Sequence, residues 1–262
     1  MTSPDTRSPA RSAEDPQHDN LLVLAARGDV ARLADLRRQH NTGVPAPYLA
    51  GFMLFRGHRF QIDPRAYITD PETTHLVDTV AVEGRRLAER LGRAPRLLEF
   101  GVGAGTLSLS LKIEHPDWSI AGLDVDPPAL DLARANSDAH AAPIDLFQSD
   151  YLSGWPPEAA PPDILFGDPP WGGPTDLYDE ARDAGYYQRM PARSAFPGGD
   201  TPCSIHDELI RRLCALAWPT TLVLNYGVLP LEVIEHSASP LPGWRLVHPA
   251  PHLTILIGHA RA

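Results

Sequence analysis

The alternation of short apolar runs with helical patterns after Pro95 is the feature that most restricts the fold of this chain. Helical patterns at about 106–113, 128–140 and 204–217 separate predicted strands, which favours a mostly parallel sheet covered on both faces. The last two strands read as a closing hairpin. We therefore predict an α/β fold with a Rossmann-like, doubly wound, seven-stranded sheet and an antiparallel last strand. The predicted strands are Arg96–Phe100, Ser119–Val125, Ile144–Gln148, Asp163–Gly167, Thr220–Asn225, Trp244–His248 and Leu253–His259.

The residues ahead of this sheet predict a small extension. Residues 20–40 carry leucine and valine near helical spacing and indicate one or two short helices. The segment Gly51–Asp63 alternates and contains aromatics, as a hairpin does. A helix from about Pro71 to Leu91 follows, with proline at its start and Gly92 at its end. The predicted division is a disordered tail at 1–19, a reduced helical and hairpin region at 20–70, and the main domain at 71–262.

Composition narrows the possible partners. The 262 residues are 43% hydrophobic and carry a formal charge of −10, which disfavours nucleic acid as a partner. We see neither an apolar run of about 20 residues nor the apolar core of a signal peptide, so we expect a cytoplasmic protein without membrane contact. The two cysteines, Cys203 and Cys214, fit neither a disulfide framework nor a zinc site, and no spacing of ligands supports a metal.

A glycine-rich turn follows the first strand of the sheet. Glycines expose bare backbone to a ligand, and ligands of open α/β sheets bind at the carboxyl ends of the strands. The spacing is G-x-G-x-G instead of the dinucleotide pattern G-x-G-x-x-G. A carboxylate at Glu99 would repel a pyrophosphate but suits the ammonium group of a sulfonium amino acid. The alternative is a turn used only for packing. The candidate residues are Glu99, Phe100, Gly101, Gly103, Gly105 and Thr106.

Acidic residues end the next two strands. Asp124, followed by Val125, can accept two hydrogen bonds from a ribose diol. Asp150 could take the exocyclic amine of an adenine and Tyr151 could flank its ring, although a helix cap and a surface aromatic explain this pair equally well.

The fourth strand ends in Asp168-Pro169-Pro170-Trp171, the most specific feature of the chain. Two prolines stiffen the backbone and remove two N–H donors, so the corner presents carbonyl oxygens without competing donors. Asp168 adds a side-chain acceptor, and Trp171 offers a flat apolar face to a planar substrate. Such a corner can hold the N–H groups of an amine or amide and direct the nitrogen lone pair outward, as nitrogen methylation requires. The alternative is a rigid corner that only ends a strand.

These motifs resemble those of class I S-adenosylmethionine-dependent methyltransferases that act on planar nitrogens. A longer stretch, Phe55–Phe60 with Asp63–Arg65 and Ile68–Thr73, resembles the segment ahead of the catalytic domain in the HemK-type release-factor glutamine methyltransferases. Residues 195–200 resemble that family's Gly-Gly turn. The resemblance implies S-adenosylmethionine as cofactor, with ribose, adenine and acceptor-nitrogen contacts at Asp124, Asp150 and the Pro-Pro corner. The predicted substrate-binding residues are Asp70, Glu72, Thr73, Trp171 and Asn225. Tyr67, just before the Asp-Pro-Glu-Thr element, is a further candidate to cover the substrate, with core packing as an equal alternative.

Departures from that family shape the expected substrate. Thr69-Asp70 replaces Pro-Arg, so a cation near the substrate mouth becomes an anion. Asp168 replaces an asparagine, and aspartate only accepts hydrogen bonds whereas asparagine also donates. Trp171 replaces a tyrosine, and the N-terminal helical region is reduced. We therefore expect an N-methyltransferase acting on an amine, amide or guanidine nitrogen of a small molecule, in specialised metabolism.

Three alternatives stay open. One is a protein glutamine methyltransferase acting on a release factor or similar protein. The others are an adenine amino-methyltransferase and an idle binding module that keeps the cofactor pocket. Among the remaining residues, His206 precedes Asp207-Glu208 at a helix start, and we interpret this trio as a helix cap.

Overall fold

A computed structural model describes residues 16–177 and 182–260 of the chain. Most of the predicted tail, 1–15, lies outside the described residues. The described residues begin with three helices and a hairpin, which confirms the hairpin and places two helices where one or two were predicted. Asp29 caps the second helix, because its side chain accepts a hydrogen bond from the Arg32 N–H at 3.0 Å. These elements are α1 (Pro16–Ala26), α2 (Val30–Asn41), α3 (Ala46–Ala50), β1 (Phe52–Phe55) and β2 (His58–Gln61).

A seven-stranded sheet forms the body of the protein. Its strands are β3 (Arg96–Phe100), β4 (Ser119–Asp124), β5 (Asp145–Gln148), β6 (Ile164–Gly167), β7 (Thr221–Gly227), β8 (Gly243–Ala250) and β9 (Leu253–His259). Their order is β5-β4-β3-β6-β7-β9-β8, and only β9 runs against the others. The prediction of a doubly wound, mostly parallel sheet with an antiparallel last strand is therefore confirmed. The strand order reverses between β3 and β6, so a crevice forms at their carboxyl ends.

Helices cover both faces of this sheet. A single 3-10 turn at Pro71–Thr73 leads into the predicted long helix, which ends at Gly92 with a φ of 65°. The helix at Leu231–Ala238 was not predicted, because eight residues are too few for a clear helical period. The helices are α4 (Thr74–Leu91), α5 (Thr106–Glu114), α6 (Pro127–His140), α7 (Pro174–Leu177), α8 (Ala184–Tyr187), α9 (Ala192–Ala195), α10 (Ser204–Leu216) and α11 (Leu231–Ala238).

The sheet separates two hydrophobic clusters because neighbouring residues of a strand face opposite sides. Leu97 belongs to one cluster, together with residues of α4 and of the β1–β2 hairpin such as Phe60. Leu98 belongs to the other, together with Leu209 and Leu213 of α10. Helices α1 to α3 have a small core of their own. The hairpin thus packs with the sheet, while the division at residue 70 stays a prediction. Over the described ranges, no helix has the length and apolarity needed to traverse a bilayer.

Asn136 on α6 ties the hairpin to the glycine-rich turn. Its Oδ1 accepts from the Gln61 N–H at 2.7 Å. Its Nδ2 donates to the Gln61 carbonyl at 3.0 Å and to the Ala104 carbonyl at 2.9 Å. The side chain is fully buried, so these three hydrogen bonds have no competition from water. The hairpin therefore supports the turn that borders the crevice.

Replacing Asn136 by alanine should destabilise the protein by on the order of 3 kcal/mol, because it leaves buried backbone groups of Gln61 and Ala104 without partners. Urea unfolding followed by circular dichroism measures this change. The exposed Asp138→Ala on the same helix is the control and should shift stability by less than about 0.5 kcal/mol. Equal effects of the two variants would contradict the role assigned to Asn136.

Candidate active site

A cavity of about 500 Å³ opens where the crevice between β3 and β6 was expected. Residues from the 3-10 turn, the glycine-rich turn, the ends of β4, β6 and β7, and the segment 191–198 line it. Of the predicted site residues, the following line this one cavity: Tyr67, Asp70, Glu72, Thr73, Glu99, Phe100, Gly101, Gly103, Thr106, Asp124, Val125, Asp150, Tyr151, Asp168, Pro169, Pro170, Trp171 and Asn225. Residues that are far apart in the sequence thus share one site.

The glycine-rich turn presents bare backbone to the cavity. Gly101 and Gly103 have φ values of 71° and 51°, which side-chain-bearing residues rarely adopt. No heavy atom lies within 4 Å of the position a Cβ would take at either glycine. Gly105 differs, because it does not line the cavity, and a Cβ there would meet Leu109 at 3.0 Å and Ala133 at 3.3 Å. Gly105 therefore packs against Leu109 and Ala133 outside the cavity lining, and its cofactor contact stays a prediction.

Asp124 at the end of β4 is oriented by two backbone groups. The Gly103 N–H donates to Oδ2 at 2.8 Å, and the Asp126 N–H donates to Oδ1 at 3.0 Å. Burial raises the pKa of this carboxyl, while the backbone hydrogen bonds oppose the rise. Each carboxylate oxygen has a second lone pair, so Asp124 can still accept hydrogen bonds from a ligand.

Glu99 is the most deeply buried acid of the cavity, with 2% of its surface exposed. Its Oε2 accepts a hydrogen bond from the Ser108 N–H at 2.9 Å. Burial raises the pKa of Glu99 to about 8, and the negative charges of Asp124 and Asp168 contribute to the rise. The carboxyl is therefore largely protonated at neutral pH, and a bound cation would favour its ionised form.

Tyr151 follows β5 in a left-handed conformation with a φ of 53°. Its ring stacks on Phe100, with ring centroids 5.6 Å apart, and the Arg212 guanidinium lies 4.3 Å from its centroid. The Ser149 hydroxyl donates to the Tyr151 carbonyl at 2.7 Å, which helps to hold this unusual backbone. The neighbouring Asp150 is exposed and lies 3.5 Å from Arg212. Tyr151 thus forms a packed wall of the cavity.

Asp168 and Asn225 form a hydrogen-bonded pair across the ends of β6 and β7. The Asn225 Nδ2 donates to Asp168 Oδ1 at 2.7 Å. Burial raises the pKa of Asp168 to about 7, the hydrogen bond from Asn225 opposes the rise, and the charge of Asp70 adds to it. Asp168 is therefore a much stronger base than an exposed aspartate.

His206 lies behind this pair, and the interpretation of His206 as part of a helix cap is wrong. The residue is fully buried, and its Nε2 lies 2.8 Å from the Asn225 carbonyl. Burial lowers the pKa of His206 to about 4, so the ring is neutral and its Nε2–H donates to that carbonyl. The sequence pattern could not reveal this contact, because it joins α10 to β7.

Trp171 packs tightly against the backbone of β7. A Cβ on Gly227 would lie only 1.9 Å from the indole ring, so only glycine permits this approach. The Gly172 N–H donates to the Pro202 carbonyl at 2.7 Å and fixes the chain after the Pro-Pro corner. The indole therefore has a defined position at the cavity wall.

The mouth of the cavity carries an ion pair that the sequence did not reveal. Asp70 caps the 3-10 turn by accepting from the Glu72 N–H at 3.1 Å, and its other oxygen binds the Arg182 guanidinium. The anion predicted at position 70 is therefore paired, because Arg182 brings a cation to the mouth from another segment. The sequence offered one signal for this ion pair: Asp70 has no basic residue directly beside it, so a partner for its charge had to come from a distant segment. Within the described ranges, no cluster of three or more His, Cys, Asp or Glu side chains could hold a metal ion.

Comparisons with known proteins agree with this arrangement. Residues 70–178 match the family model described as the methyltransferase small domain. The chain is 33% identical over 142 residues to the release factor glutamine methyltransferase of Chlorobaculum tepidum, covering 51% of this chain and 47% of that protein. It is 31% identical over 182 residues to the Koribacter versatilis protein of the same name, covering 70% and 60%. The chain spans about half the length of the curated relatives it matches.

The fold has a solved counterpart. A methyltransferase from Pyrococcus furiosus has a similar structure, with a TM-score of 0.51 and 14% identity, covering 78% of this chain and 89% of that one. The fold is Rossmann-like, as predicted, and residues 70–178 are similar to the methyltransferase small domain. The curated relatives confirm the resemblance to the HemK-type release-factor glutamine methyltransferases.

Replacing Glu99 by glutamine should change the pH dependence of stability. Folding raises the pKa of Glu99, so the folded state binds a proton that the unfolded state releases above its ordinary pKa near 4.5. This group therefore makes the protein progressively less stable as the pH rises from about 4.5 to about 8. Glu99→Gln removes that loss, so its Tm relative to the wild type should be higher at pH 8 than at pH 5.

Thermal unfolding of the cofactor-free protein at both pH values measures the effect. Glu158→Gln, at an exposed position, is the matched control. A Tm difference for Glu99→Gln that is the same at pH 5 and pH 8 would contradict the raised pKa.

Proposed function

We propose that this chain is an S-adenosylmethionine-dependent N-methyltransferase whose acceptor is the side-chain amide of a protein glutamine. The observation that carries the proposal is the single cavity that joins the glycine-rich turn to the Asp168–Trp171 corner. A cofactor held at the turn and a nitrogen held at the corner would share that space. We expect the reaction in the cytoplasm.

The residues of the turn fit the proposed cofactor. Gly101 and Gly103 leave free space above bare backbone, and Asp124 is held with lone pairs available for ribose hydroxyls. Glu99 would receive the ammonium group, which favours the carboxylate that burial otherwise disfavours. Asp150 would bind the adenine amine, and Val125 would border the ring beside the packed wall at Tyr151. When bound, the cofactor supplies a methyl group already activated on a sulfonium sulfur.

The corner would hold the acceptor nitrogen. Pro169 and Pro170 have no N–H groups, so their carbonyl oxygens accept hydrogen bonds without a neighbouring donor competing for them. Asp168 adds a carboxylate oxygen, and the rigid Trp171 ring supplies an apolar wall that excludes water. Catalysis here depends mainly on positioning the nitrogen and removing its solvent.

Asp168 would also take the proton that the nitrogen loses. A new N–C bond leaves one N–H proton in excess, and this proton must pass to a base. The pKa of about 7 gives Asp168 a substantial affinity for it at neutral pH. Proton transfer to the bound carboxylate thus completes a balanced reaction with no further reactant.

The relatives favour a protein acceptor over the small molecule that the sequence departures suggested. Both relatives described above carry the name release factor glutamine methyltransferase. The cation that Arg182 places beside Asp70 also weakens the argument for a different acceptor. A nucleic-acid acceptor fits poorly with a formal charge of −10. The glutamine side-chain amide is therefore the preferred candidate for the methyl acceptor, and a small amine is the alternative.

Incubation with radiolabelled S-adenosylmethionine should label a purified release factor on glutamine and leave a small-metabolite extract unlabelled. Asp168→Asn should lower turnover on the order of 100-fold, because the acceptor atom facing the nitrogen is lost. Its affinity for the cofactor, measured by calorimetry, should stay within about twofold. Label confined to small molecules would overturn the glutamine proposal, and absence of cofactor binding by the wild type would overturn the class of reaction.

Turnover should also depend on pH through Asp168. The carboxylate accepts the acceptor N–H only when ionised, so kcat should fall about tenfold per pH unit below its pKa of about 7. Measurement of kcat at saturating cofactor and acceptor between pH 5.5 and 8.5 provides the test. Asp168→Asn should remove this slope from the residual activity, and a variant that keeps the same slope would assign the titration to another group.

A further inference from the structure

The side-chain amide of Asn225 has only one possible orientation. Its Oδ1 accepts a hydrogen bond from the Gly227 N–H at 2.8 Å, and a backbone N–H can only face an oxygen. The Nδ2 must therefore face Asp168, to which it donates at 2.7 Å. An amide nitrogen carries two hydrogens, and this contact uses one of them. Among the described residues, no acceptor binds the second, and Asn225 lines the cavity.

The backbone of Asn225 is also held from behind. The neutral His206 ring donates from Nε2 to the Asn225 carbonyl at 2.8 Å, inside the core. The His206 ring also packs on Tyr226, with ring centroids 4.2 Å apart. Three hydrogen bonds, to the side chain and the carbonyl, therefore fix Asn225 before any substrate binds. Such prior fixation lowers the entropy cost of binding.

The pair thus presents an acceptor and a donor side by side. Asp168 has Oδ2 available as an acceptor, and Asn225 has one N–H available as a donor. A primary amide needs this combination, because its nitrogen donates and its carbonyl oxygen accepts. A protonated amine or a guanidinium has no acceptor for the Asn225 donor, and a neutral amine needs its single lone pair for the incoming methyl group. The donor would then lose its hydrogen bond to water on binding.

We propose that Asn225 is the specificity-determining residue for the acceptor, donating to the amide carbonyl while Asp168 accepts from the amide nitrogen. This inference rests on the proposed N-methyltransferase function and assigns to two residues the donor and acceptor that the family places on one asparagine. His206 is a positioning residue for this donor. The substrate class is a primary carboxamide.

Binding to the cofactor-free protein tests the pair without turnover. The probes are a release-factor fragment that contains its glutamine and the same fragment with norleucine, which has a similar length but no amide. Calorimetry should give the wild type about a tenfold preference for glutamine, the value of one well-placed hydrogen bond. Asn225→Leu and Asn225→Asp should both lose most of this preference while binding of the norleucine fragment changes little.

Comparing Asn225→Leu with Asn225→Asp distinguishes loss of the hydrogen-bond donor from a general loss of structure. Asn225→Asp keeps an oxygen for the Gly227 N–H, but it replaces the donating nitrogen with an oxygen and places a second carboxyl beside Asp168. Asn225→Leu therefore removes the donor without adding a charge. Tyr226→Phe is the matched control on the same strand, since it removes the hydrogen bond to Ser237 and does not reach the cavity. His206→Phe should weaken the glutamine preference, and restoring a donor with His206→Gln should return part of it.

The outcomes distinguish this inference from the proposed function. No glutamine preference in the wild type, or a full preference in both Asn225 variants, overturns the assignment of Asn225. Equal weakening of both fragments also overturns it, because a structural defect would act on both. A wild type that prefers glutamine but transfers no methyl group to it supports the pair and removes the proposed function.

Discussion

The site depends on one constraint: several carboxyl groups are buried at the carboxyl ends of the strands, beside the point between β3 and β6 where the strand order reverses. Glu99, Asp124 and Asp168 lie at the carboxyl ends of three strands of the sheet. Burial raises the pKa of each carboxyl, and the charges of Asp124 and Asp168 raise that of Glu99 further. Each carboxyl is held by at least one N–H donor, from a backbone or from the Asn225 amide. The apolar clusters on the two faces of the sheet offset the cost of this arrangement. A cationic ligand would bind where the fold has concentrated acidic groups.

Much of the fold could be predicted from local patterns. Strands β3 and β9 have the predicted bounds, because each is a short apolar run between polar or glycine-rich segments. The hairpin and the long helix α4 also follow from alternation and from proline and glycine at the ends. Helix α11 was not predicted because it is short. Gly105 belongs to the same motif as Gly101, but a Cβ at Gly105 would contact Leu109 and Ala133, whereas one at Gly101 would meet no atom within 4 Å. A motif locates a turn, but packing decides which of its residues face the ligand.

The site is less accessible to sequence reasoning because its decisive contacts join distant segments. The Asp70–Arg182 ion pair and the His206–Asn225 hydrogen bond connect elements that no local period relates. The residue types alone made His206 look like a cap, although the residue lies fully buried under β7. The orientation of the Asn225 amide is likewise determined by its hydrogen bond from the Gly227 N–H, which the sequence does not show. Such information lies in the three-dimensional packing and not in spacing along the chain.

Two departures from the family pattern acquire partners once the chain is folded. Asp70 lacks the family's positive charge, and Arg182 restores a cation at the same mouth. Asp168 lacks the donor of an asparagine, and Asn225 places an amide N–H beside it. Each substitution considered alone argues for a new acceptor, because it changes a charge or a donor. Considered with its partner, each substitution is partly compensated, because a cation stands beside Asp70 and an amide donor beside Asp168, which is consistent with the proposed amide substrate.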